Sequence, residues 1–308
     1  MIRRFTSLAL VIVTCLACGG GTVGTPVMAH TPSSAIQDCR GATELDPTSP
    51  SPMPGVTYVE MTVDGKRRDY RLFIPPSLPP TRPVPLVVVL HGAPIDAQGF
   101  ENLIHFDAVA AKAGFISASP NGCGGMWSYA DGGPKEADDD FIEQTIVQLE
   151  SKYPVDSKRV YLVGASAGSW LEYRLACDFA DHVTAIASVA GTMRLADPCA
   201  PSRPVSILEI HGTLDNEHPW EGSGPHHASS VDAVMQKWRD LDGCAPNPTV
   251  TVSGITETSR WSHCQDGAVV QLAKVARGHH TWFGSDLDPV PGEPDANTLI
   301  WSFFQSLT

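Results

Sequence analysis

The chain has 308 residues, an apolar share of 42% and a formal charge of −13 at pH 7. That length supports one large α/β domain with a full core, or two small ones. The charge argues against a surface for nucleic acid or an anionic membrane, since nothing would neutralise phosphates.

In chain order, Arg3 and Arg4 precede an apolar run over 8–17, too short to span a bilayer and suited to an export signal. Two cuts compete. Val27-Met28-Ala29 predicts cleavage before His30. Leu16-Ala17-Cys18, followed by Gly19-Gly20-Gly21, resembles a bacterial lipoprotein signal and predicts a lipid on Cys18, the one membrane contact expected of the chain. Residues 1–29 are therefore read as a leader, cut near 17/18 or 29/30, of a secreted, periplasmic or cell-surface protein. Of the eight cysteines, six remain after either cut: Cys39, Cys123, Cys177, Cys199, Cys244 and Cys264. An even number in an exported chain predicts disulfides. Proximity favours Cys244–Cys264 and Cys177–Cys199, which leaves Cys39–Cys123. No C-x-x-C occurs among the six, so a metal site is not indicated. Residues 30–54, rich in Pro, Ser and Thr, read as a lead-in without regular structure. Residues 55–308 read as a single folded domain.

Within that domain, alternating runs over 58–63 and 68–74 flank Asp64-Gly65, a hairpin signal because that pair tolerates positive φ. The apolar run 86–90 predicts a central strand that delivers His91-Gly92-Ala93-Pro94 to its carboxyl end. A helix over 106–113, a strand over 115–119 and an amphipathic helix over 140–153 follow. The spacing next predicts a strand over 160–163, a helix over 166–177 and strands over 185–189 and 206–210. A helix over 231–241, a strand over 269–275 and a closing helix over 296–307 complete the series. Strands alternating with helices predict an α/β fold: a mostly parallel sheet covered on both faces, with the hairpin as an antiparallel edge.

Chemistry gathers at the strand ends, where such sheets bind ligands. Gly164-Ala165-Ser166-Ala167-Gly168 is the G-x-S-x-G pattern of a nucleophile elbow, with glycines where a side chain would strike the neighbouring strand or helix. Asp215 follows a second strand, and His279-His280 a third. Serine, acid and histidine in that order match the α/β-hydrolase arrangement. The imidazole would take the serine proton and return it to the leaving group, while the carboxylate fixes the imidazole tautomer. Spacing alone does not separate His279 from His280. The Ala167 N–H, with a second from Gly92 or Ala93, would hold the oxyanion; Pro94 has no N–H to offer. This chemistry calls for neither metal nor organic cofactor.

The motifs extend further. They include Tyr-Arg-Leu-Phe-Ile-Pro over 70–75, Leu-His-Gly over 90–92, Asn-Gly-Cys-Gly-Gly-Met-Trp over 121–127 and Asp-Asp-Asp-Phe-Ile over 138–142. Val155-Asp156, Arg-Val-Tyr over 159–161 and Leu-Ala-Cys over 175–177 continue the series. It ends with His-Gly-Thr-Leu-Asp over 211–215, Gly243-Cys244 and Gly-His-His-Thr-Trp over 278–282. Together they make the chain resemble the secreted esterases grouped with poly(3-hydroxybutyrate) depolymerases and feruloyl or acetylxylan esterases. The resemblance implies an α/β-hydrolase fold with Ser166 as nucleophile, Asp215 as acid and His280 as base. It also implies an ester of a hydroxyalkanoate or of a plant-cell-wall phenolic or acetyl group as substrate. Ala93 stands where the group often has cysteine, and Ser169 where glycine is usual; both are expected on the oxyanion side. A serine peptidase of the same fold and an inactive secreted binding relative are the alternatives.

Other residues have plainer readings. Trp127, Trp220 and Trp282 either pack or wall a substrate pocket. His91 and His211 are read as hydrogen-bonders that shape their loops, His226 and His227 as solvent-facing. Asp138, Asp139 and Asp140 are read as favourable first-turn charges.

Overall fold

The computed structural model describes residues 37–41, 54–79, 81–128 and 137–307. The export signal, Cys18 and most of the lead-in lie outside the described residues. The apolar runs set the strand pairing. In chain order the elements are β1 (Gln37–Asp38), β2 (Val56–Val63), β3 (Lys66–Phe73), β4 (Val84–Leu90), α1 (Ala97–Ile104) and α2 (Phe106–Ala113). Next come β5 (Ile116–Pro120), α3 (Ala137–Lys152), β6 (Val155–Ala165), α4 (Ala167–Asp178), β7 (Ala185–Val189) and β8 (Ser206–Gly212). The series ends with α5 (Val231–Leu241), β9 (Thr249–Ser253), β10 (Thr256–Trp261), β11 (Val270–Val275) and α6 (Ala296–Gln305).

The sheet runs β1-β3-β5-β4-β6-β7-β8-β11-β10-β9, with β2 along the free side of β3. From β5 through β11 the pairings are parallel; β2–β3, β3–β5 and the β9–β10–β11 end are antiparallel. Asp64 and Gly65, at φ 49° and 72°, make the two-residue turn of the β2–β3 hairpin.

Period-2 alternation divides the core. Leu86, Val88 and Leu90 of β4 pack with helices α3, α4 and α5, whereas Val87 and Val89 face α1, α2 and α6. Every residue of β4 is buried, which is why it reads as an unbroken apolar run.

Two features depart from expectation. α1 is an additional helix, capped by the Asp96 carboxylate, which accepts from the Gly99 N–H at 2.7 Å. β9 and β10 add a hairpin beyond β11. All of β9 is exposed and β10 is polar, so neither gave a burial signal.

Three disulfides join Cys39 to Cys123, Cys177 to Cys199 and Cys244 to Cys264. These are the three pairs named from the sequence.

One buried charge cluster bears on stability. Arg71 pairs with Asp107 at 2.6 Å, and Glu101 accepts the Asp107 N–H at 2.9 Å. Burial, reinforced by the nearby Asp107 charge, pushes the Glu101 carboxyl up to about 8 from 4.5. The fold thus keeps a proton that the unfolded chain loses above about 4.5, and stability falls as pH rises from there towards about 8. Glu101→Gln keeps an acceptor for the Asp107 N–H and does not titrate. It is expected to raise the melting temperature at pH 8 and not at pH 4, by about 2–4 °C for each kcal/mol recovered, read by thermal unfolding at both values.

Candidate active site

The elbow is a steric construction. β6 runs into Ser166 at φ 51°, ψ −113°, and α4 begins at the next residue. A β-carbon on Gly164 would lie 2.6 Å from the Gly168 backbone, and one on Gly168 would lie 2.2 Å from the Leu90 carbonyl oxygen. Only glycine allows three stretches of backbone to pass so closely. Ser166 occupies the N-cap position of α4 without making a side-chain cap bond, at the positive end of the helix. Ser169 lies buried under the elbow, its hydroxyl donating to the Gly164 carbonyl at 2.9 Å with the Val189 carbonyl at 3.3 Å.

β4 ends against this turn. A β-carbon on Gly92 would stand 3.6 Å from Ser166 Cβ. His91 fixes the segment. Its Nε2 accepts the Gly122 N–H at 2.9 Å, so its proton is on Nδ1, which donates to the Gly92 carbonyl at 2.8 Å. Burial pushes the His91 imidazole down to about 4, keeping that tautomer neutral. Trp127 stacks on the His91 ring at 4.4 Å and donates its indole N–H to the His91 carbonyl at 2.7 Å.

The acid and the histidine meet across a second glycine contact. A β-carbon on Gly212 would fall 2.2 Å from the Gly278 carbonyl oxygen, and the Leu214 N–H donates to that same oxygen at 2.8 Å. The loops after β8 and β11 are therefore locked side by side. Asp215 Oδ1 accepts the N–H groups of Glu217 (2.9 Å) and His218 (2.8 Å), while Oδ2 accepts His280 Nδ1 at 2.9 Å. Burial alone would push the Asp215 carboxyl up; the bond and charge of His280, with His211 and the His218 N–H, outweigh it and hold the carboxyl below its ordinary value. With Nδ1 donating, His280 Nε2 is left as an acceptor.

His279 and His280 now separate. His279 pairs with Asp288 at 2.6 Å on the surface, with 45% of its side chain exposed; His280 is 23% exposed and bonded to the fully buried Asp215. Ser166 reaches this group through its neighbours. The Ser166 N–H donates to the Val189 carbonyl, the adjacent Ala190 carbonyl accepts His218 Nδ1 at 3.0 Å, and the His218 ring meets the His280 ring edge-on at 5.3 Å.

Of the two readings of the tryptophans, packing is visible: Trp127, Trp220 and Trp282 are buried, and their indole N–H groups go to His91, Asp232 and Asn297. Each braces a loop from inside, since a buried indole must satisfy its N–H within the fold. The aromatic group next to His280 is His218 with Trp170 stacked on it at 5.7 Å and His226 at 5.1 Å, none of them singled out from the sequence as site residues. A histidine three residues after Asp215 was the one available signal. His226 is half-exposed, yet it sits against this group and beside Glu217. Asp138 and Asp139 are more than first-turn charges: they form buried pairs with Arg68 (2.5 Å) and Arg174 (2.8 Å).

No family model matches the chain. NocK of Nocardia uniformis subsp. tsuyamanensis, named as an esterase, is 33% identical over 237 residues, covering 72% of this chain and 67% of its own. The bifunctional acetylxylan esterase/xylanase XynS20E of Neocallimastix patriciarum is 28% identical over 223 residues, 70% of this chain but 31% of its own length, so the chain spans a minor part of that relative. Among solved structures, the acetyl xylan esterase from Aspergillus awamori superposes with a TM-score of 0.58 at 15% identity, covering 80% of this chain and 99% of the other, which shows a shared fold.

The glycine contact between the two loops gives a test. Gly212→Ala forces the Gly278 carbonyl to move and is expected to cost about 1–3 kcal/mol in denaturant unfolding.

Proposed function

This chain belongs to the esterase family of the α/β-hydrolase fold, and on that premise we propose that it is an exported serine carboxylic-ester hydrolase using Ser166, His280 and Asp215. The observation that carries the reading is the Asp215–His280 hydrogen bond of 2.9 Å, at the same sheet edge as a serine held at φ 51°. In this mechanism Ser166 Oγ attacks the ester carbonyl carbon while His280 Nε2 takes its proton. Asp215 stabilises the imidazolium that forms. The tetrahedral oxyanion is held by the Ala167 N–H at the start of α4 and by the Ala93 N–H. Ala93 is favoured over Gly92 by geometry. The Gly92 carbonyl is tied to His91, and in a trans peptide the Ala93 N–H points the opposite way. His280 then protonates the leaving alcohol, and water repeats the sequence to release the acid.

The substrate proposed is an acetyl or feruloyl ester of a plant-cell-wall polysaccharide. The acetylxylan name of the Neocallimastix relative supports the acetyl member, and the family resemblance both. Export is proposed through residues 1–29, with Cys18 as lipid acceptor if the first cut is used and 55–308 as the catalytic domain. Three disulfides are consistent with an oxidising destination.

A panel of acetylated xylan, methyl ferulate, oligomeric 3-hydroxybutyrate and polymer granules tests the substrate; turnover confined to the hydroxybutyrate substrates would displace the cell-wall assignment. Ser166→Ala is expected to lower kcat on a short chromogenic ester by up to about a million-fold. His280→Ala should be similarly inactive and His279→Ala nearly unaffected, and the reverse pattern would move the base to His279. Thiol titration of the mature, denatured, unreduced protein should find none of Cys39, Cys123, Cys177, Cys199, Cys244 and Cys264 free.

A further inference from the structure

Behind Asp215 lies a second buried pair that the mechanism above does not use. His211 and Glu209, at the end of β8, are both buried, and His211 Nδ1 lies 2.8 Å from Glu209 Oε1. On its other side His211 Nε2 faces the His218 carbonyl at 2.8 Å and Asp215 Oδ2 at 3.5 Å. That carboxylate oxygen is the one bonded to His280. The donor inventory restricts the protons. A carbonyl can only accept, so Nε2 carries hydrogen. Glu209 Oε2 accepts the Tyr173 hydroxyl at 2.8 Å, leaving Oε1 to share a proton with Nδ1. Both imidazole nitrogens thus face acceptors, the pattern of an imidazolium held by a carboxylate.

We propose that Glu209 and His211 are positioning residues, a buried ion pair whose Nε2–H pins the 215–218 turn and lends positive charge to Asp215, thereby setting the pH at which His280 works. The pair sits inside the β8–β11 layer and out of reach of substrate, so it acts only through Asp215. Burial lowers the His211 imidazole and raises the Glu209 carboxyl, but the bond and charge of Glu209 carry His211 above its ordinary value. The other charged or titratable groups facing the pair and His280 are few. Glu172 and Tyr173 come from α4, and burial pushes both well above their ordinary values. His218 is pushed down to about 4, chiefly by burial, and is neutral. Lys274 on β11, in register with His211, lies over the Trp220 ring at 4.6 Å. His226 and Glu217 form the outer pair at the rim.

This inference rests on the Ser166–His280–Asp215 reading, and the test separates the two. The rate at which diethyl p-nitrophenyl phosphate phosphorylates Ser166 is measured against pH in the parent, Glu209→Gln and His211→Asn, with the site of labelling found by mass spectrometry. Gln at 209 keeps an acceptor for Tyr173 and donates to Nδ1, leaving His211 neutral and its Nε2–H in place. The charge next to Asp215 is then lost without loss of packing. The half-maximal pH of the labelling rate should rise by about half a unit, the size a partly offset charge pair gives at an effective dielectric near 20. His211→Asn removes the N–H as well, and on a chromogenic ester kcat should fall by about tenfold or more with KM little changed, as for a charged hydrogen bond. An unchanged pH profile in Glu209→Gln, with Ser166 still labelled, overturns the positioning role alone. Absence of label on Ser166 in the parent overturns the serine reading and this inference with it. If His211→Asn fails to fold, the Glu209→Gln profile decides.

Discussion

How closely backbone can approach backbone at the carboxyl edge of the sheet governs this structure. Gly168 lies against the Leu90 carbonyl, Gly164 against Gly168, and Gly212 against Gly278, each too close for a β-carbon. The first two contacts leave the chain no ordinary route from β6 into α4, so Ser166 takes φ 51°, a conformation that costs a non-glycine residue of order 1–3 kcal/mol. The fully buried strand β4 beside it supplies the packing that offsets the strain. The third contact brings the loops after β8 and β11 together, and the 2.9 Å bond from His280 to Asp215 follows from it.

Two buried acids near opposite ends of β8 show how donor count decides the charge of a buried acid. Asp215 and Asp242 are both buried aspartates. Asp242 receives one N–H on its carboxylate, from Val205 at 3.2 Å, and burial pushes it up to about 7. Asp215 receives two backbone N–H groups and the His280 N–H, with His211 Nε2 at 3.5 Å, and is held below its ordinary value. Desolvation acts on both, and the hydrogen bonds reverse its outcome only where they converge. The acid of the proposed triad is the one where that convergence exists.

Much of this arrangement was legible before any coordinates, for identifiable reasons. Helices at 106–113 and 231–241 and the strand at 185–189 coincide with α2, α5 and β7, because their apolar spacing matches the face each one buries. The Asp64-Gly65 turn was legible because few other residue pairs accept positive φ twice. The G-x-S-x-G run carries its own steric explanation. The rest depended on information that spacing lacks. α1 buries Ala97, Phe100, Glu101 and Ile104, but a glycine at its third position and a charged residue on the buried face obscure that spacing in the sequence, while β9 faces solvent along its whole length. Which loop a buried tryptophan braces turns on where its N–H finds an acceptor. For Trp127 that acceptor is a carbonyl 36 residues away. His279 and His280 are equivalent in the sequence and differ only in which carboxylate, Asp288 or Asp215, the fold places beside each.

Trp127 also explains why a departure from the family pattern at position 93 is compatible with the proposed chemistry. The side chain there is alanine and exposed, and the proposed oxyanion role asks only for the backbone N–H. The direction of that N–H is set one peptide earlier. The Gly122 N–H fixes the His91 tautomer, the His91 Nδ1–H holds the Gly92 carbonyl, and Trp127 clamps the ring and the main chain of His91 together. Since the Gly92 carbonyl and the Ala93 N–H belong to one planar trans unit, fixing the first orients the second. Position 93 can therefore vary in side chain without moving that N–H. Changes at His91, Gly122 or Trp127 would move it.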